Sequence, residues 1–275
     1  MTKTKVFKKI TDVRDFVDSC KTRNQKIGFV PTMGALHDGH LSLISEAQKV
    51  SDIVIVSIFV NKAQFNDLGD YQKYPRHFDN DINKLENIAV NAIFIPHEDE
   101  IYPADCSFKI IPVSFIDCLC AKSRVGHFDG VALVVTKLFN IVRPHQAFFG
   151  EKDFQQLLII KKLVVDLNFD IKIFGLPTYR EVSGLAMSSR NQRLSLEGLK
   201  KASMIYKTLN EIKSDPDSID FQKTQLIKNG FEIDYLEIRN EHNLELDNDA
   251  KSSNSYRIFI AVYLEGIRLI DNLKL

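Results

Sequence analysis

The stretch Ile53-Val54-Ile55-Val56-Ser57-Ile58-Phe59-Val60 decides the fold. A strand with one wet face alternates apolar and polar residues, and this one does not. Near-continuous apolarity is expected of a strand covered by helices on both faces. Similar β-rich runs occur at Ile27 to Val30, Ala92 to Ile95, Gln146 to Phe149 and Ile171 to Phe174. Amphipathic segments separate them: Asp12 to Cys20, Leu41 to Val50, Asp79 to Asn87, Val131 to Val142 and Phe154 to Leu167. This alternation predicts stacked βαβ units and a Rossmann-like, doubly wound parallel α/β sheet.

Beyond Pro177 the pattern changes. Two helical stretches, Leu196 to Ile212 and Ile219 to Lys228, precede grouped strand-like runs at Phe231 to Ile238, Tyr256 to Tyr263 and Ile267 to Ile270. The sequence therefore predicts two domains, residues 1-177 and a smaller C-terminal α+β domain at 178-275. The polar stretch Glu241 to Ser255 reads as an exposed loop.

With 275 residues and 44% hydrophobic content, the chain can bury a sizeable core. Lys plus Arg equals Asp plus Glu at 36 each, so no global positive field gathers nucleic acid or anionic membrane. Phosphate chemistry must come from a local cluster. The cysteines Cys20, Cys106, Cys118 and Cys120 contain no C-x-x-C pair and read as thiols of a reducing cytosol. The start MTKTKVFKKI lacks a signal-length apolar stretch, and no later run has membrane-span length, so a cytoplasmic protein is expected.

Three segments have the makings of a phosphate site. In Val30-Pro31-Thr32-Met33-Gly34-Ala35-Leu36-His37-Asp38-Gly39-His40, a strand runs into a helix N-terminus, where backbone N–H groups and the helix dipole favour an anion. Histidine can donate to phosphate oxygens and titrates near neutral pH. A helix cap or a zinc pair are alternative readings of H-x-x-H, though no third ligand stands nearby. In Gly150-Glu151-Lys152-Asp153, at the end of another predicted strand, Lys152 can reach phosphate while Gly150 and Asp153 can hold a ribose; an ordinary capped turn is the alternative. Gly184-Leu185-Ala186-Met187-Ser188-Ser189-Arg190-Asn191, at the expected boundary, can wrap polyphosphate with two hydroxyls and a guanidinium, or can simply be a linker.

Together these stretches resemble the pantothenate synthetase (pantoate–β-alanine ligase) family of the H-x-G-H nucleotidyl-transferase superfamily. The likeness is carried by PTMGALHDGH (31 to 40), SIFVN..QF (57 to 65), YPR (74 to 76), GHF.GV (126 to 131), FFGEKDFQQL (148 to 157), GLAMSSRN (184 to 191) and RLIDN (268 to 272). It implies ATP-dependent condensation of pantoate with β-alanine through a pantoyl adenylate, releasing pyrophosphate and AMP, with Mg2+ accompanying ATP and a homodimeric assembly.

The resemblance implies catalytic roles for His37, His40, Lys152 and Arg190, with His40 a proton donor. It places Met33, Gly34, Ala35, Leu36, Asp38, Gly39, Gly150, Glu151, Asp153, Tyr179, Met187, Ser188 and Ser189 around ATP as well. Gln64 and Gln156 are expected to orient pantoate, with Asn61, Arg124 and His127 near that pocket. Asp81 and Asp153 are the carboxylates considered for magnesium, whose ligands the sequence leaves unassigned. Lys62-Ala63 stands where the family has Pro-Met, which is expected to alter the pantoate wall; Val125, Tyr179 and Ser183 depart from the family pattern too.

Overall fold

The computed structural model describes residues 4–246 and 255–275. The six-stranded sheet comprises β1 (Lys5–Phe7), β2 (Ile27–Thr32), β3 (Ile53–Ile58), β4 (Ala92–Phe94), β5 (Gln146–Gly150) and β6 (Lys172–Leu176). All its pairings are parallel, in the order β1-β4-β3-β2-β5-β6. Helices α1 (Ile10–Thr22), α2 (Asp38–Val50), α3 (Leu68–Lys73), α4 (Phe78–Asn87), α5 (Glu98–Ile101), α6 (Leu119–Ser123), α7 (His127–Val142) and α8 (Phe154–Asp166) connect the strands.

The β3 sequence explains its own position. Ile53 and Ile55 enter a core with α1, α7 and α8, whereas Val54, Val56 and Ile58 enter a second core with α2 and α4. Side chains alternate faces along a strand, so a strand apolar at nearly every position satisfies both cores only when each face is covered. Strand order reverses between β2 and β5, which pair through Gly28 and Phe29. This switch point opens a crevice at the carboxyl edge of the sheet.

The later part forms α9 (Leu196–Ala202), α10 (Met204–Ser214), α11 (Ile219–Lys228) and an antiparallel sheet of β7 (Glu232–Asn240), β8 (Tyr256–Leu264) and β9 (Ile267–Lys274). It has its own apolar core, including Leu209, Leu226, Ile258 and Ile260. Phe259, on the other face of β8, packs against Phe154 of α8 with ring centroids 5.9 Å apart. The small sheet is thus seated directly on the large one's helical layer.

Several local expectations change. The continuous helix expected from Leu196 to Ile212 is divided at Ser203, whose hydroxyl donates to Lys200 O at 2.7 Å and bends the chain. β9 runs past Ile270 to Lys274, because Asp271 and Asn272 are buried with partners instead of ending the strand. β1 is an edge strand too short for periodicity to reveal. Of the loop expected at Glu241 to Ser255, residues 247–254 lie outside the described residues. Leu244 within it is buried, not exposed.

Candidate active site

The carboxyl end of β2 leads into a turn that cannot be ordinary loop. Gly34 has φ +79° and Ala35 φ +50°, so the chain makes two successive left-handed steps before α2 begins. A Cβ on Gly34 would also lie 2.9 Å from Ile58 Cγ2. Asp81 of α4 holds this shape: its two oxygens accept the backbone N–H groups of Ala35 and Leu36, both at 2.8 Å. One turn on, Lys84 donates to Leu36 O at 2.6 Å. Asp81 is 1% exposed and does not line the cleft.

The turn delivers His37 and His40 to the start of α2, their ring centroids 4.0 Å apart. The His37 backbone N–H donates to His40 Nδ1 at 3.3 Å, which places the proton of a neutral His40 ring on Nε2. Burial, then the charge of Lys152, lowers His37 to about 4. Burial, followed by His37 and Lys152, holds His40 well below the ordinary histidine value. Both rings are therefore neutral at pH 7 in the ligand-free protein, each offering one N–H. The titration near neutrality expected from sequence is displaced to acid pH.

Across the switch point, β5 ends in a single 3-10 turn, Glu151–Asp153, that presents Lys152. β9 anchors this turn, with Asn272 Nδ2 donating to the carbonyls of Glu151 and Lys152, both at 2.9 Å. Neighbouring Asp271 accepts a bidentate pair of bonds from Arg180, whose guanidinium lies 3.9 Å from the Tyr206 ring centroid. The loop at 177–190 forms the third wall. Ser189 Oγ donates to Ala35 O at 3.2 Å, joining the serine loop to the histidine turn. Arg190 is bound by Asp70 of α3 at 2.7 Å, and Arg193 is bound by the same carboxylate at 2.6 Å.

Farther in, the cleft becomes apolar, lined by Val131, Val134, Val135 and Leu138 of α7. Gln64 sits at this end and is held on every side. Its Oε1 accepts from Asn61 Nδ2 at 3.0 Å, its Nε2 faces Met33 Sδ at 3.0 Å, and its carbonyl receives His127 Nδ1 at 2.7 Å and Arg124 Nη2 at 3.3 Å. Burial first, then Arg124, lowers His127 to about 3, consistent with a neutral ring that donates from Nδ1 and accepts the Arg124 Nη1 proton at Nε2. Asn61 also bonds Gly130 O at 3.0 Å and Tyr102 OH at 2.9 Å. Gly130 permits this contact, since a Cβ there would lie 2.3 Å from Ala63 O.

One cleft thus brings together Met33, His37, Gly39, His40, Gly150, Lys152, Asp153, Tyr179, Met187, Ser188, Ser189 and Arg190 with Asn61, Gln64, Arg124, His127 and Gln156. Five expected ATP residues do not line it. Gly34, Ala35 and Leu36 are buried, the last two turned toward Asp81; Asp38 is exposed on α2; Glu151 reaches toward Arg257 at 3.4 Å. Asn61, Arg124 and His127 support Gln64 through their own hydrogen bonds. Lys62 and Ala63 point outward, so the charge introduced at Lys62 does not face the cleft. Sequence reading passed over Tyr74, which lines the cleft, and Asp70 and Arg193 beside it. The YPR stretch was the available signal for Tyr74.

The Pantoate-beta-alanine ligase family model matches residues 5–274. A pantothenate synthetase of Caldicellulosiruptor bescii is 43% identical over 277 residues, covering 98% of both chains. The crystal structure of pantothenate synthetase from Thermus thermophilus superposes with a TM-score of 0.92 at 35% identity, covering 98% of this chain and 99% of that one. The pantoate-β-alanine ligase of Francisella tularensis, complexed with β-γ ATP and β-alanine, superposes at 0.87 with 39% identity, over 98% and 97% of the two chains. The chain belongs to the pantoate–β-alanine ligase family.

Proposed function

We propose that this cleft condenses pantoate with β-alanine in two steps. A pantoate carboxylate oxygen attacks the α-phosphorus of ATP, and the bond to pyrophosphate breaks. The β-alanine amine then attacks the acyl carbon, the bond to AMP breaks, and the amine loses a proton as pantothenate forms. Adenylation turns a poor leaving group into a good one. The observation carrying this reading is the convergence of His37, His40, Lys152 and Arg190 on a cleft whose inner end is apolar and holds Gln64 and Gln156. The nucleotide and β-alanine bound by the Francisella relative support it.

In this reading His37 and His40 donate to phosphate oxygens as negative charge develops, with His40 Nε2–H the proton donor. Lys152 and Arg190 neutralise the transferring and leaving phosphates, assisted by Ser188 and Ser189. Approach of a triphosphate raises the histidine pKa values again, because opposite charge favours imidazolium. Gly150 and Asp153 hold the ribose, Tyr179 and Met187 border the base, and Met33 and Gly39 complete the nucleotide wall. Gln64 and Gln156 orient pantoate. Residues 178–275 act as the lid that excludes water from the adenylate.

Among the described residues no group of three His, Cys, Asp or Glu side chains is placed to hold a metal. The donor set therefore fits Mg2+ only as an ion carried by the phosphates and largely hydrated, with Asp153 the available carboxylate at the cleft. The free thiols fit a cytoplasmic location, and no described helix is long and apolar enough to cross a membrane. A homodimer accounts for the exposed apolar side chains of Phe108, Ile111 and Val113 on one irregular stretch.

The test is AMP release with ATP, magnesium, pantoate and β-alanine, omitting each in turn. Release should require all four, and isotope exchange between pyrophosphate and ATP should require pantoate but not β-alanine. A folded sample without pantoate-dependent exchange would sink the adenylate mechanism.

A further inference from the structure

We infer that Asp70 is a positioning residue for the nucleotide step: it aims Arg190 at the phosphates, and Arg193 is the second cation that keeps the cluster positive. This builds on the assignment of the cleft to ATP.

α3 is a short helix capped by Asp67, which accepts Gly69 N–H at 2.7 Å. Asp70 lies in its first turn. The Asp70 side chain is 23% exposed, as is that of Arg190, and Arg193 is similar at 27%. One Asp70 oxygen takes Arg190 Nη2 and the other takes Arg193 Nη1. Tyr74, at the C-cap of α3, lies under the Arg190 guanidinium, 5.7 Å from ring centroid to Cζ. Helix and cap together form a seat for one arginine that lines the cleft. Arg193 lines the adjoining cavity between the two sheets, outside the cleft itself.

The charge arrangement is specific. Burial alone raises the Asp70 carboxyl, but its bonds to Arg190 and Arg193 outweigh this and hold it below the ordinary carboxylate range. Asp70 is thus ionised at neutral pH. With only Arg190 beside it, the pair would be neutral and of little use to a phosphate. Arg193 restores one net positive charge. A guanidinium has five N–H donors, and the Asp70 bond engages only part of that fork, leaving the rest for phosphate oxygens. Fixing a long, rotamer-rich side chain before the nucleotide arrives removes that entropy cost from binding and from the transition state.

A mere strut between α3 and the serine loop would stabilise the fold without acting through Arg190. The two roles separate in a double-mutant cycle. ATP affinity by calorimetry and pantoate-dependent pyrophosphate exchange are measured for the wild type, Asp70→Asn, Arg190→Ala, their double variant, Arg193→Gln and Asp70→Glu. Asp70→Asn should weaken ATP binding or exchange by about tenfold, the size of a lost charged hydrogen bond. The pantoate KM should stay within about twofold, and Asp70→Glu should recover part of the loss. In the Arg190→Ala background Asp70→Asn should cost nothing further. Arg193→Gln should lose about as much as Asp70→Asn, and if Asp70→Asn does not fold, near-wild-type behaviour of Arg193→Gln overturns the inference. Near-wild-type behaviour of Asp70→Asn, or an equal loss with and without Arg190, would overturn the inference. Absence of exchange in the wild type would instead overturn the reaction, while the ATP affinities would still decide the role of Asp70.

Discussion

Gly130→Ala adds one methyl group at the place where α7 and the Asn61–Phe65 turn touch backbone to backbone. The new Cβ would lie 2.3 Å from Ala63 O, 2.4 Å from Ala63 C and 2.7 Å from Gln64 N, none of which is the end of a flexible side chain. Ordinary contact begins near 3.4 Å, so the two segments must part by about 1 Å, a displacement that can cost on the order of a hundredfold when it misplaces a reacting group. The same movement stretches the Asn61 bond to Gly130 O and shifts Gln64, while the histidine turn stays held by α4. We therefore expect kcat/KM for pantoate to fall about a hundredfold, with the ATP affinity nearly unchanged and a stability loss of about 1–3 kcal/mol from overpacking. Pyrophosphate exchange against pantoate concentration, calorimetric ATP binding and urea denaturation read the three quantities. A folded variant with pantoate kcat/KM within about twofold of wild type would refute the reasoning that the Gly130 contact sets Gln64.

Replacing His40 or Lys152 by Ala should each lower turnover by about a hundredfold or more, as expected for a lost charge-stabilising donor, and near-normal turnover in both would show that the phosphates lie elsewhere. Stability should fall as pH drops below about 6.5, since unfolded histidines then bind protons that His37 and His127, lowered to about 4 and about 3, refuse when folded. The loss should continue until pH passes through those lower values, and His127→Gln should flatten it in urea denaturation measured across pH. Asn272→Ala removes the donor to two carbonyls and the Arg257 partner at 2.6 Å, which should cost about 1–3 kcal/mol in denaturation and raise the KM for ATP through the freed Lys152 turn.

The large sheet was legible in sequence because its central strands are apolar on both faces, and only a sandwich between helix layers satisfies such a strand. The histidine and lysine turns were legible for a related reason: each follows a strand run, and parallel strands place their carboxyl ends along one edge. What stayed hidden depends on contacts distant along the chain. Nothing local shows that the Asp81 oxygens accept two amides 46 and 45 residues away. Asp70 meets Arg190 across 120 positions. Asn61, Arg124 and His127 line the cleft as expected, and what the sequence does not show is that they also brace Gln64 through their own hydrogen bonds. The neutral state of the histidines follows from burial, which motif reading does not supply.

Asn272 follows Lys152 by 120 positions, yet it is the side chain that clasps the Lys152 turn. During synthesis the parallel sheet can assemble while the ribosome is still adding α9 to α11, since its strands all precede Pro177. The lysine turn must wait for β9. At ribosomal speeds of roughly 5–20 residues per second, that is a delay of about 6–24 seconds in which the histidine turn is already held by α4 but the Lys152 turn is unbraced. A nascent chain can thus assemble its large sheet before the Lys152 turn is clasped, and a chain stopped within β8 lacks the side chain that clasps it.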